Sequence, residues 1–583
     1  MLVSAAVLLV AYRVYGSLLA RLLRLDDSRT TPAVAMRDDI DYQPIEPKFL
    51  MGQHFSAIAA AGPIVGPIVA GVMFGWLPAA IWIIVGSIFI GGVHDMVALV
   101  ASVRHKARSI AEVIRQHMSR RSYVLFLLFV WIALVYIIVA FTDLVAGQFV
   151  GRQTLESGDA VTGGSIATSS MLYLALPIVM GLLLRFTKMT LLAATLIFLP
   201  LVGVAIWAGQ KIPFDLASLM NVDDVQAAKY WGVILLGYCF IASLVPLWLL
   251  LQPRGHLGGY FLYAALAAAA IGILFGGKAI ANERTINWTF IAPGGAQTPL
   301  VPILFITIAC GACSGFHCLI ASGTTSKQLR RESDAKVIGY GAMLLEAMVA
   351  MVSLACVMML TTQQSEALLN KPNLIYAQGL ASFLDVLKIP STFAICFGLL
   401  AFTTFVYDTL DVCTRLGRFI VQELTGLHNA AGRWIGTIIT TAAPMYFLLN
   451  TPLGPDGKPA PAWKTFWNLF GASNQLLAAL ALIGVTVWLW RTYRAKWVWL
   501  VTGVPTTFMY AMSAWALARF VRDGFINAQT SRWQWTSNPV PWVALVLIAL
   551  AAMLLLEAVM VFIKAPPASG QVGREPGAVA AGA

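Results

Sequence analysis

Charge is what this sequence has least of. Only 11% of its 583 residues are Asp, Glu, Lys or Arg, against 59% that are hydrophobic, where a soluble globular chain carries roughly 25% charged residues. So little polar surface cannot cover a water-exposed globule of this size, which excludes a soluble enzyme or binding module. Cysteine is scarce as well. Cys239, Cys310, Cys313, Cys318, Cys356, Cys396 and Cys413 all fall in apolar stretches, which argues against a disulfide framework in outer loops. The first segment, MLVSAAVLLVAYRVYGSLLARLLRL, lacks a basic n-region and a small-x-small cleavage site, and reads as a retained helix, not a signal peptide. No c-type haem attachment motif occurs, which counts against a haem protein. The largest connector, about thirty residues, is too short for a soluble signalling domain, which counts against a sensor.

What is there is a succession of apolar runs of bilayer-spanning length. They predict an all-α polytopic membrane protein of about fifteen transmembrane helices, over 1–25, 55–75, 77–103, 122–150, 170–186, 188–209, 229–251, 258–277, 300–322, 337–361, 391–421, 432–450, 465–490, 497–518 and 540–563. The formal charge of +12 sits in short connectors between these runs and not on one face of a domain, so it points to membrane topology and away from nucleic acid. The basic connectors around Arg104 to Arg121, Lys327 to Lys336 and Arg491 to Lys496 fall on one side, which the positive-inside rule makes cytoplasmic. With single crossings, the N-terminus lies outside and the C-terminus inside.

The second span reads GQHFSAIAAAGPIVGP over 52–67. Proline removes a helical hydrogen bond and glycine loosens the backbone, so the pairs Gly62–Pro63 and Gly66–Pro67 predict a broken or kinked helix. Bare backbone at membrane depth survives only inside protein or along a cavity, and transporters use such breaks to offer half-helix ends to solutes and ions. A tightly packed kink is the plainer alternative. A second interruption, Ser243 to Pro246, comes five spans later, the spacing of an inverted-repeat transporter with two five-helix halves.

Several stretches carry a resemblance: DYQPIEPKFLMGQHFSAIAAAGPIVGPIVA at 41–70, PLWLLLQPRG ending at Gly255, FITIACGACSGFHCLIASGTTSKQL at 305–329, IGYGAMLLEA at 338–347, DTLDVCTRLGRF at 408–419 and FGASNQLLA at 470–478. In this order they resemble the carbon starvation protein A family of bacterial inner-membrane transporters. The resemblance implies uptake of a small carboxylate such as pyruvate, or of peptides, coupled to protons in cells short of carbon. It also implies a LeuT-like five-plus-five core of the amino acid–polyamine–organocation superfamily. The expected organisation is an N-terminal helix and connector over 1–52, a core over 53–421 in halves of 53–210 and 229–421, additional helices over 422–564, and a disordered tail over 565–583, rich in Ala, Gly and Pro. No cofactor is expected; the partners are the solute, protons and the lipid bilayer.

In such a core the eighth helix faces the first, which would set Ser314 and His317 near His54 and the Gly-Pro break. The expected solute site is therefore His54, Phe55, Gly62, Pro63, Gly66, Pro67, Ser314, His317, Ser322, Thr324 and Thr325. Close helix packing is the alternative for its small residues. Cys310, Cys313 and His317 share a helix face at i, i+3 and i+7, yet a zinc site there would need a fourth ligand and a route for metal, so packing is preferred to a metal site. Ionisable groups within spans are costly and hence candidates for function: Asp95, Glu346 and Asp411 for proton coupling, while Asp143 falls outside the resembling stretches. Asp408 lies one turn before Asp411. Asp411 and Arg415 at i+4 also have the spacing of a structural ion pair. Gln252 and Arg254, closing the interrupted span at the cytoplasmic face, are candidates for a gate. Asn474 and Gln475, beyond the core, read as glue between helices.

Overall fold

The computed structural model describes residues 1–38, 42–154, 160–246, 248–292, 297–427, 429–450, 461–526 and 532–564. The expected tail over 565–583 lies outside the described residues. The architecture is all-helical apart from two short antiparallel ribbons, Arg152–Thr154 with Ala160–Thr162 and Thr289–Ile291 with Gln297–Pro299. Eleven of the described helices are long and apolar enough to cross a bilayer, or up to twelve when the bent pair Pro47–Ile58 and Gly62–Phe74 counts as one span.

The expected stretches over 300–322, 432–450 and 497–518 are also helical, in the pieces Leu300–Thr307, Ala309–Ala312 and Phe316–Gly323, the helix Ala430–Leu449, and the pair Trp499–Gly503 and Val504–Phe525. They fall short of the same measure of length and apolarity. The interruption expected at Ser243 to Pro246 within the stretch 229–251 is present. Helix Asp224–Leu244 stops at Val245, whose backbone is extended before Pro246, and a new helix, Leu251–Phe275, begins within what had read as one span. Proline disfavours a helical conformation in the residue before it, which is the physical reason for the stop.

Helices at the rim leave apolar side chains such as Leu196 (69% exposed) and Trp207 (57%) facing outward, as a bilayer requires. Ser391–Thr425 and Ala462–Tyr493 lie at the other extreme, buried along most or all of their apolar length. The second of these is one of the additional C-terminal helices expected beyond the core, yet it packs against Arg120–Ala146 and reaches the broken segment 300–323.

Two interrupted segments meet at the centre. Helix Pro47–Ile58 gives way at Ala59–Ala61, and Gly62–Phe74 resumes at an angle of 49°. The break lies just before the Gly-Pro pairs, because Pro63, near the start of the second half-helix, sits where its missing N–H costs nothing. The glycines have a different task. A Cβ on Gly62 would fall 2.2 Å from Cys310 Sγ, and one on Gly66 would fall 2.4 Å from the Thr307 carbonyl oxygen. Only glycine lets this half-helix lie directly on the interrupted segment opposite. A parallel bridge between Ile45 and Leu329 ties the approach to the first segment to the exit from the second.

Candidate functional site

Helix Phe316–Gly323 presents His317 to two other elements. Its Nδ1 lies 2.7 Å from Asp95 Oδ2, on the helix Gly92–Arg104. Its Nε2 lies 3.1 Å from Glu346 Oε2, on Ala342–Met358, close enough for charge attraction but without the alignment of a hydrogen bond. Asp95 Oδ1 in turn meets His94 Nδ1 at 2.7 Å. All four side chains are buried to within 1%. With both carboxylates ionised and His317 protonated, the trio carries one net negative charge. An uncompensated buried charge costs several kcal/mol, so this site favours taking up one further proton.

His54, from the first half-helix, approaches the same group. Its Nδ1 lies 2.8 Å from Thr325 Oγ1, it stands within electrostatic reach of Asp95 and His317, and its Nε2 is buried with no hydrogen-bond partner among the described residues.

A second buried ionic group forms around Arg254, which is 0% exposed. Its Nε lies 2.5 Å from Asp408 Oδ1 and its Nη1 2.5 Å from Tyr238 Oη, while Nη1 also pairs with Asp411. The Tyr238 hydroxyl donates to Asp411 Oδ2 at 2.9 Å, and Ser56 Oγ donates to Asp408 Oδ2 at 2.5 Å.

The structure thus joins His54, Thr325, His317, Asp95 and Glu346 in one cluster, and Arg254 with Asp411 in another. The remaining expected solute residues are placed differently. Ser314 bonds to Asn474, Ser322 to the Cys318 carbonyl and the Ile110 N–H, and Thr324 to the Ile320 carbonyl. Phe55 is buried against the Tyr263 ring, and Gly62, Pro63, Gly66 and Pro67 are all buried in the helix contact. Cys310 Sγ accepts from Asn474 Nδ2 at 3.2 Å.

Arg254 does not close a span at a membrane face. It lies in the first turns of Leu251–Phe275, buried among carboxylates, while Gln252 beside it is part-exposed. The i+4 spacing had paired Asp411 with Arg415, but the carboxylate turns to Arg254, and Arg415 Nη2 reaches the carbonyls of Ala242 and Val245 at 2.6 and 2.7 Å. Asp143, outside the resembling stretches, accepts from the Trp463 N–H at 2.9 Å and anchors the start of the central C-terminal helix.

Two participants were not among the expected site residues. His94 stands beside Asp95 in GGVHDM, and Ser56 stands beside His54; adjacency was their signal. Asn474 closes the gap at Cys313–Gly315: Oδ1 accepts from Phe316 N at 3.0 Å and its carbonyl from Gly315 N at 3.1 Å. It joins helices, as expected, but at the interrupted segment itself.

Interrupted half-helices with ionisable side chains buried between them, inside a bundle of bilayer-length helices, define a membrane transporter of solutes. The chain belongs to the carbon starvation protein CstA family, whose family model matches residues 1–375 and 364–516. It is 31% identical to the peptide transporter CstA of Helicobacter pylori strain J99, over 88% of this chain and 80% of that protein. It is equally similar, at 31% identity and the same coverage, to the pyruvate/proton symporter BtsT of Escherichia coli K12. The peptide transporter CstA of Bacillus subtilis is 28% identical over 93% of this chain and 94% of its own length. Among solved structures, an Eremococcus coleocola manganese transporter shares the fold at a TM-score of 0.50 and 13% identity, covering 91% of this chain and 98% of that one. These relatives and neighbours are transporters, not enzymes.

Proposed function

We propose that this protein imports a small carboxylate such as pyruvate by proton symport across a bacterial inner membrane, in the response to carbon starvation. The observation that carries the reading is His317, held between Asp95 and Glu346 on three separate elements, each of which adjoins an interruption or a π-turn. One imidazole between two buried carboxylates is a site whose charge is balanced by one more proton. A group that gains and loses that proton as access alternates couples transport to the pH gradient. The solute is taken beside it, at the Ala59–Ala61 break, where His54, held by Thr325, has its Nε2 without a partner among the described residues.

The wider frame belongs to the same proposal. It comprises about fifteen crossings, a LeuT-like core of two inverted five-helix halves within 53–421, an outside N-terminus and a cytoplasmic C-terminus. The breaks at Ala59–Ala61 and at Val245–Pro246, five expected spans apart, and the basic connectors support it. Uptake of peptides by the same machinery is the second reading, favoured by the names of several relatives.

Purified protein in liposomes, offered labelled pyruvate or labelled dipeptide with and without an inward proton gradient, tests both. Gradient-dependent accumulation of pyruvate is the expected result, and accumulation of dipeptide alone selects the second reading. Accumulation of neither solute refutes coupled import.

A further inference from the structure

The guanidinium of Arg254 is only partly used. Asp408 takes Nε, and Asp411 and Tyr238 take Nη1, but Nη2 is buried without a hydrogen-bond partner among the described residues. Leaving a buried donor unmet is costly, and more so when it is charged. Its natural complement is an anionic oxygen, which a carboxylate supplies in a charge-assisted hydrogen bond.

The charges around it also fall short of balance. Tyr173, Tyr238, Cys239, Tyr407 and Cys413 are titratable groups near this cluster, from the helices packed on it, and Arg415, one turn beyond Asp411, reaches the carbonyls of Ala242 and Val245. Phenols and thiols are uncharged near neutral pH. One guanidinium therefore faces two carboxylates, with a net charge of minus one. An arriving anion would double that charge, unless one aspartate takes a proton at the same time.

The position suits a solute. Ser56, which holds Asp408, lies in the last turn before the Ala59–Ala61 break. Gly258 presses the helix of Arg254 onto the group so closely that a Cβ there would meet Ser56 Oγ at 2.4 Å and Asp408 Oδ2 at 2.9 Å.

We infer that Arg254 is the seat of the solute's carboxylate, with Asp411 or Asp408 taking up a proton as the carboxylate arrives. This rests on import of a carboxylate-bearing solute, and it applies to pyruvate and to a peptide C-terminus alike. It adds a handle distinct from the His317 cluster: carboxylate and proton enter the Arg254 group together, and its net charge stays at minus one.

The test is ligand-dependent thermal stabilisation of the purified full chain by pyruvate and by its uncharged methyl ester, across mildly acidic to mildly alkaline pH, alongside liposome uptake. In the wild type, pyruvate stabilises, its methyl ester does not, and apparent affinity falls about tenfold per pH unit on the alkaline limb, as linkage to one proton requires. Arg254→Lys keeps the charge but loses the fork, and weakens pyruvate binding at least about tenfold. Asp411→Asn stands permanently in the protonated condition; it binds pyruvate with a shallower pH slope or none.

Equal stabilisation by the ester, an unchanged wild-type slope in Asp411→Asn, or unchanged affinity in a folded Arg254→Lys overturns the seat. Pyruvate import by the wild type would then still stand. If the wild type accumulates neither pyruvate nor dipeptide, coupled import falls and the seat falls with it.

Discussion

His54 and Ser56, two residues apart on one half-helix, reach opposite ionic groups: His54 joins Thr325 beside the His317 cluster, and Ser56 holds Asp408 in the Arg254 cluster. Residues at i and i+2 on a helix point about 200° apart. A single short helix therefore contacts both buried charge groups and ends at the break between them. Any tilt of Pro47–Ile58 about Ala59–Ala61 would strain both clusters at once, which is a physical route for linking protonation to access.

Glu346 is the carboxylate of the first cluster with the poorer hydrogen bonding, since both of its oxygens lack partners among the described residues. Glu346→Gln preserves shape and leaves His317 paired with Asp95 alone, so the extra proton is no longer required. Gradient-driven accumulation should fall by at least about tenfold, while exchange of labelled for unlabelled solute at equal pH survives. Liposome uptake and counterflow on the same preparation separate the two effects. Loss of both together would mean that Glu346 serves the fold and not the coupling.

Gly66 lies where its half-helix crosses backbone. A methyl group there would sit 2.4 Å from the Thr307 carbonyl oxygen, so one of the two interrupted segments must move. Gly66→Ala should destabilise the protein by roughly 1–3 kcal/mol and impair uptake. Gly203, on Leu191–Lys211, has open space around it: a methyl group added there would find no heavy atom within 4 Å. Gly203→Ala should therefore be neutral or stabilising by up to about 1 kcal/mol from helix propensity. Thermal unfolding in detergent compares the pair.

Asn474 holds the gap in the second interrupted segment through its side chain and its own backbone. Asn474→Ala strands the Phe316 N–H in the interior, at a cost of roughly 1–3 kcal/mol, but spares the bond from Gly315 N to the main-chain carbonyl. A lowered melting temperature with full-length, folded protein is expected. An unchanged melting temperature would show that another group closes the gap.

Beyond the end of the helix carrying Asp95, His105 and His117 face each other with Nε2 atoms 2.8 Å apart. His105 Nδ1 donates to the Ala101 carbonyl at 2.6 Å, so its Nε2 accepts and His117 donates; both rings are then neutral. Burial holds His117 at about 4 and His105 below its usual 6.5, and Arg104, Arg108 and Arg491 oppose a second charge there. The unfolded chain binds more protons than the folded one across this window. The pair's contribution is thus complete above about pH 6.5 and lost as pH falls towards 4. Melting temperatures measured over that range should drop on acidification, and less steeply in His117→Gln.

The membrane class, the positions of most helices, the broken second span and the buried carboxylates were all legible in the sequence, because each depends on composition or on neighbours a few residues away. Lack of charge and long apolar runs settle the solvent, and a proline favours the first turn of a new helix, so a break just before it is a local matter. The partnerships were not legible. His317 meets Asp95 across 222 residues and Arg254 meets Asp408 across 154, while the local i+4 rule chose Arg415 for Asp411. Which charges neutralise one another depends on which helices pack, through glycine contacts such as Gly62 on Cys310 and Gly258 on Ser56. That is decided by close packing in three dimensions, and no local pattern encodes it.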